Sequence, residues 1–308
     1  MKFETNAIHG GKDENKEKIE KRETLWGSTI NMASTFPVKE FGVSQDYEYS
    51  RVSSPTRNDL EKVMAKLENG KYAFAFSSGM ATTTSLFTIF KGGDHIILGM
   101  DIYGGTYRII HDMYSKFGLE YSFVDTTNLE NIKNAVKKNT KAIFIETPSN
   151  PLLDVTDIKG VVKIAKEHNL LTIADNTFMT PYLQKPLDLG IDIVIHSATK
   201  FLSGHHDILA GIAVTNDDEI AEKLGFSQVA VGALISPFDS WLLMRSLKTL
   251  KVRVEEAQKN TEKLVKFFEN HPAVETVLYP ASESNKGRYI QEQQANGGGA
   301  VFSFRLKD

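Results

Sequence analysis

The sequence of 308 residues contains no cysteine. This excludes disulfides, a thiolate nucleophile and any cysteine-ligated metal, and it is compatible with a reducing interior. A net charge of one sign is missing as well. Lys+Arg number 36 against 39 Asp+Glu, and a formal charge of -3 supplies no field for nucleic acid or an anionic membrane. The opening residues, MKFETNAIHGGKDENK, have no apolar signal region, and no later run is long and uncharged enough to span a bilayer. A cytoplasmic protein with no membrane or nucleic-acid partner is expected. Also absent are GxGxxG and GxxxxGK[ST], which removes the dinucleotide and P-loop readings.

What is present is an apolar share of 41%, spread over short runs in a chain long enough for one large α/β domain and a smaller one. Residues up to about Pro55 are irregular, with the charged EKIEKRE and the turn-prone YEYSRVSSPT, and read as an arm lying on another surface. Regular alternation follows. DLEKVMAKLEN, MATTTSLFTIF, the residues after Tyr103, NLENIKNAVKK and DIKGVVKIAKEH read as helices, and YAFAF, HIILG, SFV, AIFI, LLTIA and IDIVI as strands. Short apolar strands alternating with helices imply a mostly parallel sheet covered by helices on both faces. After GIAVT, long helical segments run through LLMRSLKTLKVRVEEAQKNTEKLVKFFENH, and VETVLYP and AVFSFRL read as strands of a smaller unit.

Open parallel sheets bind ligands beyond the carboxyl ends of their strands, so the polar residues there are the candidates. Ser77, Ser78, Gly79 and Met80 follow YAFAF; Glu146 to Pro151 follow AIFI; Asp175, Asn176 and Thr177 follow LLTIA; His196 to Lys200 follow IDIVI. The SSGM segment either cradles a phosphate with free backbone N–H groups or is a plain helix cap. Asp175, at the end of an apolar strand, wants a positive partner. It is either a structural cap or ion pair, or the carboxylate that keeps the ring nitrogen of pyridoxal phosphate (PLP) protonated. Lys200 either extends to water or forms a Schiff base with a cofactor aldehyde. The hydroxyls of Ser197 and Thr199 beside it suit a phosphate. Tyr103, in DIYGGTYR, either packs in the core or stacks on a planar cofactor. His196, His205, His206 and Asp207 lack metal-ligand spacing, and a polar-loop role is preferred, with no metal assigned.

In this order, YSRVSSPT, AFSSGMA, DIYGGTYR, IETPSNPL, IADNTF, PLDLGIDIVIHSATKFLSGHHD and SPFDSWLLMRSLKTL resemble the Cys/Met metabolism family of PLP enzymes. Its members include cystathionine γ-synthase, cystathionine β-lyase, cystathionine γ-lyase and related sulfhydrylases. The resemblance implies the aminotransferase-like architecture of fold type I: an N-terminal arm (1–55), a PLP-binding domain (56–235) and a partial C-terminal α/β domain (236–308). It implies Lys200 as the Schiff-base lysine, Asp175 on the pyridine nitrogen and Tyr103 over the ring. Gly79, Met80, Ser197 and Thr199 would hold the phosphate, and Asn150 and Ser149 would meet the amino-acid substrate. It further implies a homotetramer built as a dimer of dimers, in which Tyr49 and Arg51 reach the neighbouring subunit's phosphate.

Two departures from the family pattern stand out. Ser54 replaces the asparagine usual before proline in YSRxxNPT. The family's substrate-carboxylate arginine belongs to a segment beyond GGGAVFSFRL, so no residue through Asp308 is assigned to it. The expected activity is C–S elimination by a cystathionine β- or γ-lyase. The alternatives are γ-replacement, as in cystathionine γ-synthase or O-acetylhomoserine sulfhydrylase, and a relative that binds PLP without turnover.

Overall fold

The computed structural model describes residues 2–10, 29–38, 40, 42–43 and 45–307. The charged EKIEKRE stretch lies outside the described residues. Seven strands form the main sheet: β1 (Tyr72–Phe76), β2 (His95–Gly99), β3 (Glu120–Val124), β4 (Thr140–Glu146), β5 (Leu171–Asp175), β6 (Ile193–Ser197) and β7 (Gly211–Thr215). Their spatial order is β1-β7-β6-β5-β4-β2-β3. Strands β3, β2, β4, β5 and β6 pair in parallel, and β7 runs antiparallel between β6 and β1. The mostly parallel sheet expected from the alternation is therefore present.

Near-continuous apolar strands form because both faces are covered. β2 and β7 are buried along their whole length. One face packs Val194, Ile143, Ile145 and Ala174 against the helices Pro55–Glu68 and Ile158–His168. The other packs Ile195, Ile173 and Phe144 against the helices Gly79–Phe87, Gly104–Asp112 and Asp218–Val231. The one histidine inside β2, His95, is satisfied by Thr140 Oγ1 and Ser122 Oγ, each at 2.9 Å.

Helix ends follow local chemistry. Asp157 caps Ile158–His168 through the Gly160 N–H, and Asn169 closes it at φ 53°. Ser54 occupies the N-cap of Pro55–Glu68, but its side chain makes no capping bond. The long helical stretch after Ser236 is two helices, Pro237–Leu247 and Leu250–Glu269. The first buries Leu243, Met244 and Leu247 in the core of the main sheet. A separate small core of Val265, Val274, Val277 and Tyr279 lies under an antiparallel pair, β8 (Val274–Leu278) and β9 (Ser303–Leu306). β9 is shorter than AVFSFRL suggests; the chain enters it from Gly297–Gly299, two of which have positive φ.

The N-terminal helix Phe3–His9 buries Ala7 and is held by the Glu4–Lys251 ion pair and the edge contact of Phe3 with Tyr182. The segment after residue 29 lies on its own chain. Asn31 N–H donates to Thr56 Oγ1, and Phe36 packs on Tyr47.

Candidate active site

β1, β4, β5 and β6 share a direction, so their carboxyl ends lie along one edge of the sheet. Side chains two apart on a strand face the same way. Phe144, Ile173 and Ile195 belong to one core, so Glu146, Asp175 and Ser197, each two residues further, look out over that same face. By the same rule His196 follows Val194 to the opposite face, where it meets Glu68.

Asp175 is half-buried, and Glu146 is its register partner on β4. One oxygen of Asp175, Oδ1, accepts the N–H (3.0 Å) and hydroxyl (2.5 Å) of Thr177. Its Oδ2 has no protein donor among the described residues. Burial raises the Asp175 carboxyl above its ordinary value, while the Thr177 bonds and the nearby His196 oppose the rise. Among the described residues, no cationic side chain is bonded to Asp175.

Gly79 begins a helix on the same side. Ser78 caps it, its hydroxyl accepting from Ala81 N–H at 3.0 Å and its carbonyl from Thr82 N–H at 3.1 Å. That leaves the Gly79 and Met80 N–H groups at the open end of the helix. A Cβ on Gly79 would stand 2.8 Å from Ser197 Cβ, so glycine lets the helix start approach the end of β6. Ser197 donates its own N–H to Thr177 Oγ1 at 2.8 Å, which ties the ends of β5 and β6 together.

Lys200 lies in the turn after β6, exposed, with its N–H on Ser197 O at 3.2 Å. Its ammonium has no hydrogen-bond or ion-pair partner among the described residues. Thr199 points elsewhere: its hydroxyl donates to Ala210 O (3.2 Å) and accepts from Ala210 N–H (3.1 Å), bracing the returning chain. Tyr103 caps the helix Gly104–Asp112 with its ring half-exposed beside Met80 and Gly105, where a Cβ would meet Tyr103 Cε1 at 2.4 Å.

The remaining candidates divide. Asn150 is half-buried at the mouth of the loop after β4, whereas Ser149 is turned inward, donating to Asp101 Oδ2 and accepting from Asp154 N–H. Arg51 lies over the Tyr49 ring at 5.2 Å and donates to Val229 O at 2.9 Å, so these two sit at the end of the helix Asp218–Val231 of their own chain. His205 bonds Ser203 O, and His206 is exposed in the left-handed region.

Comparison with known proteins gives this geometry a lineage. Residues 4–308 match the family model of the Cys/Met metabolism PLP-dependent enzymes. The chain belongs to that family. It is 49% identical over 278 residues to the cystathionine beta-lyase MetC of Bacillus subtilis, covering 90% of this chain and 71% of that protein. The crystal structure of cystathionine gamma-lyase from Lactobacillus plantarum, complexed with L-serine, superposes at TM-score 0.95 with 46% identity, over 100% of this chain and 79% of that one. Cystathionine gamma synthase from Xanthomonas oryzae pv. oryzae, in complex with aminoacrylate and cysteine, superposes at TM-score 0.94 with 34% identity, over 100% of this chain and 79% of that one. The fold is that of the fold type I PLP enzymes, and the chemistry is of the trans-sulfuration type, shared among lyases and synthases.

The residues present fit PLP. Among the described residues, an unpartnered lysine ammonium, an open carboxylate oxygen and an uncapped pair of backbone N–H groups share one edge of the sheet, matching an aldehyde, a pyridinium nitrogen and a phosphate. Of two further carboxyls, the sequence marks Glu146 as a polar residue at a strand end without giving it a role, and it does not mark Glu68 at all. Glu146 directly follows an apolar strand, a position that marks it, but its bond to the Tyr103 N–H, 43 positions back, leaves no local trace. Glu68 ends an ordinary amphipathic helix, and only the fold shows that it is fully buried against His196.

Proposed function

We propose that the protein is a PLP-dependent carbon–sulfur lyase acting on a thioether amino acid of the cystathionine type. The observation that carries the cofactor site is that Lys200, without a side-chain partner among the described residues, and the open Asp175 oxygen both follow strands whose carboxyl ends lie along one edge of the sheet. The likeness to β- and γ-lyases supports elimination over other outcomes. Lys200 would hold the cofactor aldehyde, and its free amine would be the base that takes the substrate α-proton. Asp175 keeps the pyridine nitrogen protonated. Gly79 and Met80 N–H groups, with Ser197 and Thr199, hold the phosphate, the Thr199 hydroxyl turning from Ala210 to do so. Tyr103 covers the ring and excludes water from one side. Asn150 contacts the substrate, and Ser149 shapes the loop that presents it. PLP, when bound, supplies an electron sink for the charge left at the α-carbon.

In this reading the working form is a cytoplasmic homotetramer of paired dimers, with Tyr49 and Arg51 serving the neighbour's phosphate. Domains of 56–235 and 236–308 follow an arm of 1–55. The likeness to cystathionine γ-synthase supports γ-replacement as a second reading.

The test is incubation of the PLP-loaded protein with L-cystathionine and no acceptor. Release of pyruvate identifies β-elimination and release of 2-oxobutyrate identifies γ-elimination. No 2-oxo acid from cystathionine, with cystathionine formed from an O-acylhomoserine and cysteine, replaces the lyase reading with the synthase. Failure of Lys200→Ala to abolish the visible absorbance of the bound cofactor defeats the site itself.

A further inference from the structure

Glu146 takes no part in the contacts proposed above, yet its carboxyl is placed to govern one of them. It stands beside Asp175 at the strand ends and accepts the backbone N–H of Tyr103 at 2.8 Å. Two residues earlier in that loop, Asp101 Oδ2 accepts from Ser149 Oγ at 2.5 Å and from Leu152 N–H at 3.1 Å. The loop after β2 and the loop after β4 are thereby laced together from both sides. The Glu146 bond is the one that reaches Tyr103 itself. Tyr103 is 48% exposed and its ring rests beside Gly105, so its place is set from the backbone end.

On the cofactor reading above, we infer that Glu146 is a positioning residue for Tyr103: its carboxyl fixes the Tyr103 backbone and, through it, the height of the ring above the space that Asp175 faces.

Glu146 must also coexist with its neighbour. The two are register partners on adjacent parallel strands and share one face, and like charges held so near each other do not both ionise readily. Asp175 has the Thr177 N–H and O–H to favour its charge, whereas Glu146 has a single N–H. Burial, then Asp175 and Asp101, push the Glu146 carboxyl well above its ordinary range. Glu146 is therefore the member of the pair whose neutral form is the more favoured, and the Thr177 bonds favour the charged form of Asp175. A neutral carboxyl still offers Tyr103 a carbonyl oxygen, and glutamine offers the same atom.

The test uses the full chain reconstituted with PLP, comparing wild type with Glu146→Gln, Glu146→Ala, Tyr103→Ala and the double Ala variant. Readouts are the PLP dissociation constant and the circular dichroism of the bound cofactor's visible band. Glu146→Ala is expected to weaken PLP by roughly 5- to 10-fold, the loss of one hydrogen bond to a positioned group, and to alter the dichroism. Glu146→Gln should stay within about twofold, because its oxygen replaces the one lost. In the Tyr103→Ala background, Glu146→Ala should add nothing. Three results overturn the assignment: unchanged affinity and dichroism in Glu146→Ala, a Gln variant as weak as the Ala variant, or additive losses in the double variant. Far-UV dichroism controls for folding; if the Ala variant does not fold, Glu146→Asp, one methylene shorter, takes its place with the same expectations. Wild-type protein that takes up no PLP would bring down the cofactor reading and this assignment together. Normal uptake with an unaffected Ala variant would remove this assignment alone.

Discussion

Glu68 and His196 meet at 2.6 Å with neither side chain reached by solvent, on the face of the sheet away from Asp175. Asn176 Nδ2 adds a second donor to the same Glu68 oxygen at 3.1 Å and continues to Gln184 O at 2.9 Å. Removing one member of such a pair leaves its partner buried and uncompensated, a loss of about 3–5 kcal/mol. Glu68→Ala should therefore lower the urea midpoint without changing the slope, and Glu68→Gln, which keeps an acceptor, should lose roughly 1–3 kcal/mol. Equal losses would mean that no charge is held there. Gly105 poses a gentler test. A methyl there meets Tyr103 Cε1 at 2.4 Å and Met80 Sδ at 2.6 Å, both far ends of side chains. Gly105→Ala should leave thermal stability nearly unchanged while displacing the ring and weakening PLP. Wild-type PLP affinity in that variant would show that the ring's place does not matter.

Among the elements, the helix Gly79–Phe87 links fold to site most directly. Ser78→Ala removes its cap and should cost about 1 kcal/mol in chemical denaturation. Gly79→Ala should instead force the helix start away from Ser197 and weaken PLP, since its Cβ would meet Ser197 Oγ at 2.9 Å. The sequence made this element and the strand ends legible because an apolar run that stops at Ser77, Asp175 or His196 marks the sheet edge by itself. Facing and partners were not legible. Thr199 and Ser149 read as hydroxyls available to ligands, yet they bond Ala210 and Asp101, contacts that only the tertiary fold creates. The helix Asp218–Val231 escaped for a different reason. Its apolar positions are diluted by Gly225, which lies against the Phe74 ring at a distance where a Cβ would come to 3.3 Å.

Across the whole molecule, buried carboxyls set the response to pH. Glu146 and Glu61 are both raised above 4.5, chiefly by burial, the first also by Asp175 and Asp101, the second opposed by Arg57. A carboxyl raised in the folded state holds its proton where the unfolded chain has released it. Stability is then fully present below the unfolded value and falls as pH rises through the folded one. The cofactor-free protein should lose thermal stability as pH rises past the ordinary carboxylate range, and Glu146→Gln should flatten that slope. A slope unchanged in the variant would place the titration elsewhere. The antiparallel β7 has a consequence in time. It pairs with β1, Tyr72 opposite Thr215, across a sequence separation of 143 (215 − 72). Contacts so distant carry a large loop-closure entropy and form late. As the chain leaves the ribosome, β1 and the glycine-led helix behind it must wait for Gly211–Thr215 before their edge of the sheet exists. PLP offered to nascent chains ending before Gly211 should find no seat, so cofactor capture reports that synthesis has passed that strand.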